Sequence, residues 1–326
     1  MSTRVASHAG SWYTSNPKKL QSELDAWLQG VSIDGADLPV AGARVIIAPH
    51  AGYSYSGETA AWAYKTLDLS KCKRIFLLGP SHAYYLSGCA LSRHAKYATP
   101  LGDFVIDKEI VAELKETGKF DTMSTQNDET EHSLEMHLPY IYRMISKTFD
   151  DPTKYPTLVP ILVGNTDPSK EQQFGKLLSK YLADPTNVFV VSSDFCHWGT
   201  RFQYTYYLPQ SAIQAKSSKG QSLHRREAAP TDPPIYESIN ELDKQAMDAI
   251  ESGKHSAFLH NLEQTGNTVC GRHPIGVVMA AIEVLEKEGK ASGTSGKFKF
   301  VRYARSSEVE DITDSSVSYA SAYAVL

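Results

Sequence analysis

The stretch VIIAPHAGYSYSG, residues 45–57, starts as an uninterrupted apolar run and breaks at His50 into small and aromatic residues. Downstream, IFLLGPSHAYYLSG, residues 75–88, repeats the pattern, with His82 just past a second apolar run. Short runs without polar alternation, bounded by Gly, Pro and Ser, read as strands buried on both faces. TLVPILVG (157–164) and NVFVVSS (187–193) are two more. Amphipathic helices are predicted between them. One runs from Asn16-Pro17 to Gly30 with Leu20, Leu24, Trp27 and Leu28 on one stripe; others cover 57–67, 107–117 and 133–146. Another starts at Asp167-Pro168 and carries Phe174, Leu177, Leu178, Tyr181 and Leu182 on one face. This alternation predicts an α/β fold with a largely parallel central sheet and helices on both faces.

The C-terminal third changes character. Helices are expected at 238–252, 255–264 and 273–287, followed by two period-2 segments, 297–305 and 316–326, which read as an antiparallel pair added to the sheet. Between the two parts, 208–234 is polar, proline-rich and aperiodic, and reads as a flexible insertion. The histidine-loop echo is the one internal repetition, and the chain is read as a single domain over residues 1–326.

Composition narrows the function. A 41% hydrophobic content supports a sizeable core, and a formal charge of −4 offers no basic face for nucleic acid. No apolar run approaches the ~20 residues that span a bilayer, so no membrane partner is expected. The N-terminal segment lacks the apolar core of a secretory signal, and Cys72, Cys89, Cys196 and Cys270 include no CxxC. These features point to a reduced, cytoplasmic protein, with the nucleus as a second compartment. There is no GxGxxG, and SGTSGKF (292–298) lacks the spacing of a phosphate loop, so no nucleotide cofactor is expected.

Ligands of open α/β sheets bind beyond the carboxyl ends of the strands. His50, His82 and Asp194 each follow a predicted strand, so their side chains should converge on one crevice. Two imidazoles there make a metal-ligand pair. Cys270, in TVCGRHPIG (268–276), is the third candidate: it precedes a helix whose dipole favours thiolate, and Gly271, Arg272 and His273 follow it. The other three cysteines read as inert core thiols. In VSSDFCHWGTRF (191–202), Asp194 and His197 suit a general acid/base pair, whereas a Ser192 or Ser193 nucleophile lacks a GxSxG elbow. EHSLEMHLPY (131–140) is not HExxH. Its His132 and His137 are five apart, on different faces of a helix; His132, following the polar QNDETE, is read either as lining the crevice or as exposed loop polarity, with the latter expected.

Taken in order, SHAGSWY, APHAGYSYSG, LGPSH, EHSLEMHLPY, VSSDFCHWG, CGRHPIG and DSSVSYA resemble the Memo family from residue 7 to the C-terminus. That family is similar in fold to class III extradiol dioxygenases. The 208–234 insertion is the main departure. The resemblance implies a metal-binding pocket with His50, His82 and Cys270 as ligands, and Trp12, Tyr55, Asp194 and His197 around it. It also implies copper or iron, redox activity, cell-motility signalling and phosphotyrosine-peptide partners.

Extradiol enzymes present two histidines and a carboxylate to iron. A thiolate in the carboxylate's place shifts preference toward Cu(I) or Zn while leaving Fe(II) open, and is itself oxidisable, so ring cleavage is not expected. Three readings follow. The first is a copper- or iron-dependent redox protein acting on a small molecule. The second is a phosphopeptide-binding module walled by Trp12, Tyr53 and Tyr55, although no arginine cluster accompanies them. The third is a zinc hydrolase with Asp194 as base.

Overall fold

A computed structural model describes residues 2–326. Its central sheet runs, edge to edge, through His197–Trp198, Ser316–Val325, Ala43–Ala48, Asn187–Ser192, Arg74–Pro80, Thr157–Val163, Cys89–Leu91 and Phe120–Thr122. The four strands in the middle are mutually parallel and are the four legible as apolar runs. Every residue of Ala43–Ala48 and Asn187–Ser192 is buried, which is why these strands show no alternation. Phe298–Arg305 pairs antiparallel with Ser316–Val325, which pairs antiparallel with Ala43–Ala48, so the expected C-terminal addition is present. The short strands Cys89–Leu91, Phe120–Thr122 and His197–Trp198 left too little pattern to read. The same holds for a separate sheet of Thr3–Arg4, Lys96–Thr99 and Gly102–Val105.

Helices cover both faces. Pro168–Ala183 and Arg272–Lys287 pack on each other and on the Asn187–Ser192 strand. Gly175 sets their close approach: a Cβ there would lie 2.7 Å from that of Ala280. Tyr53–Thr66 packs against Ala43–Ala48 and Ser316–Val325. Pro17–Gln29 leans on Tyr53–Thr66, started by an Asn16 side chain that accepts the Lys19 N–H at 3.0 Å. No helix among the described residues is long and apolar enough to cross a membrane.

Two segments depart from expectation. The helix predicted over 133–146 is split into His132–Glu135 and Leu138–Thr148. Pro139 explains the break. It has no N–H to donate, and its ring would collide with the carbonyl four residues back. The aperiodic 208–234 segment contains a short helix, Gln210–Gln214, and a strand, Gln221–Ser222, paired with Tyr206–Tyr207. Buried Ala212 and Leu223 anchor it to two satellite apolar clusters. Single anchors at irregular intervals leave no periodicity to detect.

Candidate metal centre

His50, His82 and Asp194 each stand two residues beyond the end of a strand: Ala48, Pro80 and Ser192. Those three strands are neighbours and parallel, with Asn187–Ser192 in the middle. The equivalence seen in the sequence therefore becomes spatial convergence at the carboxyl edge of the sheet. The His50 and His82 rings stand 5.2 Å apart, centroid to centroid.

A third imidazole joins them. Ligand-capable atoms of His50, His82 and His132 all lie within 4.8 Å of one another. His132 stacks on His82 at 4.4 Å, so the expectation of exposed loop polarity is corrected. The break at Met136–His137 invalidates the single-helix spacing argument that set it aside. His137 departs in another direction, into the core.

The donor set fits a metal ion. Ser192 Oγ donates its only proton to the Ser133 carbonyl at 2.7 Å, so toward His50 Nδ1, 2.6 Å away, it must accept. His50 is then the Nδ1–H tautomer, and its Nε2 lone pair faces the cluster. His82 Nδ1 stands 3.0 Å from Glu131 Oε1, which fixes that ring in the same sense. A carboxylate behind a ligating imidazole is the usual supporting arrangement of metal-binding histidines. Glu131 also accepts the backbone N–H groups of His82 at 2.6 Å, Ala83 at 3.2 Å and Ser133 at 2.9 Å. Burial alone would raise its pKa. The hydrogen bond and charge of His82, with the charge of His132, outweigh that and hold it at about 2. Sequence reasoning missed Glu131, whose only local signal was an acid directly before His132, and weighed Ser192 as a nucleophile rather than as the partner of His50.

Cys270 Sγ lies 3.2 Å from His50 Nε2 and accepts the Asp194 backbone N–H at 3.1 Å. It therefore flanks His50 but falls outside the three-imidazole group. A cavity of about 280 Å³, lined in part by Ser81, Asn165, Cys270 and His273, opens beside it. The expected thiolate bias is opposed by the surroundings of this half-buried thiol, where desolvation and then the Asp194 charge push its pKa up. Asp194 Oδ1 accepts the His50 N–H at 2.8 Å. Burial raises its carboxyl pKa, against the opposing influence of His197. His197 Nδ1–H donates to the Phe195 carbonyl at 2.8 Å, and no hydrogen bond joins it to Asp194 among the described residues.

Trp12 packs against His132 at 4.5 Å and is 37% exposed, while Tyr55 is 64% exposed. Tyr53 is buried and donates its hydroxyl proton to the Met136 carbonyl at 2.7 Å. Cys72, Cys89 and Cys196 are buried free thiols.

The buried histidines carry a pH consequence. Burial alone pulls the His137 pKa from 6.5 to about 3. Burial and the charge of His82, partly offset by Glu131, pull His132 to about 4. As pH falls through 6.5 the unfolded chain takes up protons that the folded chain refuses. Stability therefore drops from pH 6.5 downward, by up to about 1.4 kcal/mol per pH unit for each histidine. The loss for His137 ends near pH 3, where the native ring also protonates. Urea unfolding at pH 7 and pH 5 should show this loss, reduced in His137→Gln; an equal loss in both proteins would contradict it.

A parallel-centred α/β sheet whose carboxyl edge gathers imidazoles backed by a buried carboxylate defines a candidate metal-binding protein. The family model described as Memo-like protein matches residues 4–323, and the chain belongs to the Memo family. It is 49% identical over 317 residues to Protein MEMO1 of Homo sapiens, covering 97% of this chain and 95% of the human protein. Protein MEMO1 of Danio rerio is 48% identical over 321 residues, covering 98% and 96%. The memo-1 homolog of Caenorhabditis elegans is 43% identical over 319 residues, covering 98% of this chain and 81% of that protein.

Proposed function

We propose that this protein binds copper or iron at His50 and His82 and acts as a redox protein in signalling that governs cell motility or growth morphology. The observation that carries the metal site is the convergence of three imidazoles, two of which, His50 and His82, are oriented by Ser192 and Glu131. His132 completes a nitrogen set, and Cys270 offers sulfur from the His50 side. The bound ion would supply one-electron chemistry and Lewis acidity. Asp194, buried and with a raised pKa, would hold or release a proton at the edge of the site. Trp12, exposed and packed on His132, and Tyr55, exposed on the helix that follows His50, would meet a small substrate or a phosphotyrosine peptide.

The test is titration of the metal-free protein with Cu(I), Fe(II) and Zn(II), alongside His132→Ala and Cys270→Ser. Cys270→Ser should weaken Cu(I) binding by roughly tenfold or more, because a soft ligand is exchanged for a poor one, while the melting temperature stays close to native. Unchanged Cu(I) affinity would remove sulfur from the ligand set. Tight binding of zinc alone, without redox response to copper or iron, would overturn the redox reading in favour of a hydrolase.

A further inference from the structure

We propose that Tyr64 and His137 form a proton-coupled redox pair, and that Tyr140 and Trp27 connect it to the protein surface. The path would carry oxidising equivalents away from the metal crevice. This proposal rests on the redox reading of that crevice.

Tyr64 and His137 are both fully buried, and the Tyr64 oxygen lies 2.5 Å from His137 Nδ1. The phenol is the more acidic partner, so its O–H donates and the imidazole accepts. Among the described residues His137 Nε2 has no partner, and burial keeps the ring neutral, with its Nδ1 lone pair toward the phenol. Most buried tyrosines need only a hydrogen-bond acceptor, and a carbonyl serves. Tyr53 and Tyr140 follow that pattern, donating to the carbonyls of Met136 and Gly57. A carbonyl cannot take a phenol's proton, whereas an imidazole can. Tyr64 is thereby distinguished from its two buried neighbours. Tyr64 lies on the helix that starts just after His50, and His137 stands at the break directly after the helix that carries His132, so the same two segments supply the pair and the crevice.

The rings then lead outward. Tyr64 stacks on Tyr140 at 4.7 Å with planes 1° from parallel, and Tyr140 stacks on Trp27 at 6.5 Å. Trp27 has its own built seat: a Cβ on Gly57 would lie 2.6 Å from the indole. The half-buried indole reaches a surface cavity of about 560 Å³ that Trp12, Tyr13 and Tyr53 also line.

The electron count closes as follows. An oxygen-derived one-electron oxidant in the crevice takes an electron from Tyr64. The phenolic proton moves to His137 Nδ1, leaving a neutral tyrosyl radical beside an imidazolium. An electron then arrives from Trp27 through Tyr140, and the proton returns to Tyr64. A small one-electron reductant at the surface cavity refills the indole. The net change is one electron from reductant to oxidant, which spares the oxidisable sulfur of Cys270.

The experiment uses the metal-free protein, so failure of the metal reading leaves it interpretable. A soluble ruthenium photo-oxidant is flash-quenched, and the persistent tyrosyl signal is measured by electron paramagnetic resonance. Tyr64→Phe should reduce that signal by about tenfold or more, and Tyr207→Phe, which removes a buried phenol that donates to the Pro233 carbonyl away from this stack, should leave it within about twofold. In native protein, formation of the signal should be flat between pH 5 and pH 8, because the proton acceptor is internal and already neutral. This second measurement needs no variant to fold. Absence of a persistent signal in native protein, equal loss in both variants, or a formation rate that climbs with pH would overturn the proposal.

Discussion

Glu131→Gln is expected to weaken metal binding by roughly 10- to 100-fold while leaving every candidate ligand in place. The carboxylate lies behind His82, at Nδ1, on the side away from the Nε2 that would face an ion. It fixes the His82 ring through Nδ1, lies 3.7 Å from His132 Nδ1, and accepts the backbone N–H groups of His82 and Ala83 in the turn after Pro80 and of Ser133 beside His132. Glutamine keeps the shape but loses the charge and one acceptor oxygen. At least one N–H in the buried cluster then loses its partner, and the His82 tautomer is no longer enforced. Competition titration with a chromophoric chelator measures the change. Affinity within twofold of native would mean that the rings are oriented by packing alone.

The largest stability effect should come from Arg4→Ala, at about 3–5 kcal/mol in urea unfolding, the usual cost of stripping one partner from a buried ionic network. Arg4 is fully buried. Its Nε meets Asp128 Oδ1 at 3.1 Å, and its Nη1 meets Glu135 Oε2 at 2.7 Å. Its Nη2 donates to the Glu131 carbonyl at 2.8 Å. Removing the guanidinium leaves two carboxylates buried without their cation, although Tyr13, His8, Ser92 and Tyr97 still donate to them. Arg4→Lys should recover part of the loss, because it restores charge but not the planar fork that reaches three acceptors at once. A loss below about 1 kcal/mol for Arg4→Ala would show that relaxation or water compensates the carboxylates. Through the Glu131 carbonyl the same arginine ties the N-terminal strand to the segment carrying His132, so metal affinity should fall with stability.

Legibility in the sequence tracks the range of the interaction. His50, His82 and Asp194 could be read because each follows an apolar run by the same short interval, and neighbouring parallel strands convert that interval into proximity. His132 could not, because its spacing to His137 was measured on a continuous helix that Pro139 interrupts. Arg4 carries no local mark: its acidic partners lie more than a hundred residues away, in a strand–helix arrangement with no period to detect. Tyr53, expected to wall a pocket, lines a surface cavity with Trp12, while its hydroxyl bonds the Met136 carbonyl in the core, a contact no local pattern announces. The Cys270 thiol was judged from the helix dipole alone, and burial beside Asp194 is the larger influence on it.

The most direct measurement is the metal content of protein prepared anaerobically under reducing conditions without added metal, beside His50→Ala. The expected result is about one copper or iron ion per chain in the native protein, falling to a small fraction in the variant. Native protein that carries no metal and takes up none from Cu(I), Fe(II) or Zn(II) would contradict the metal centre, as would equal metal content in the two proteins.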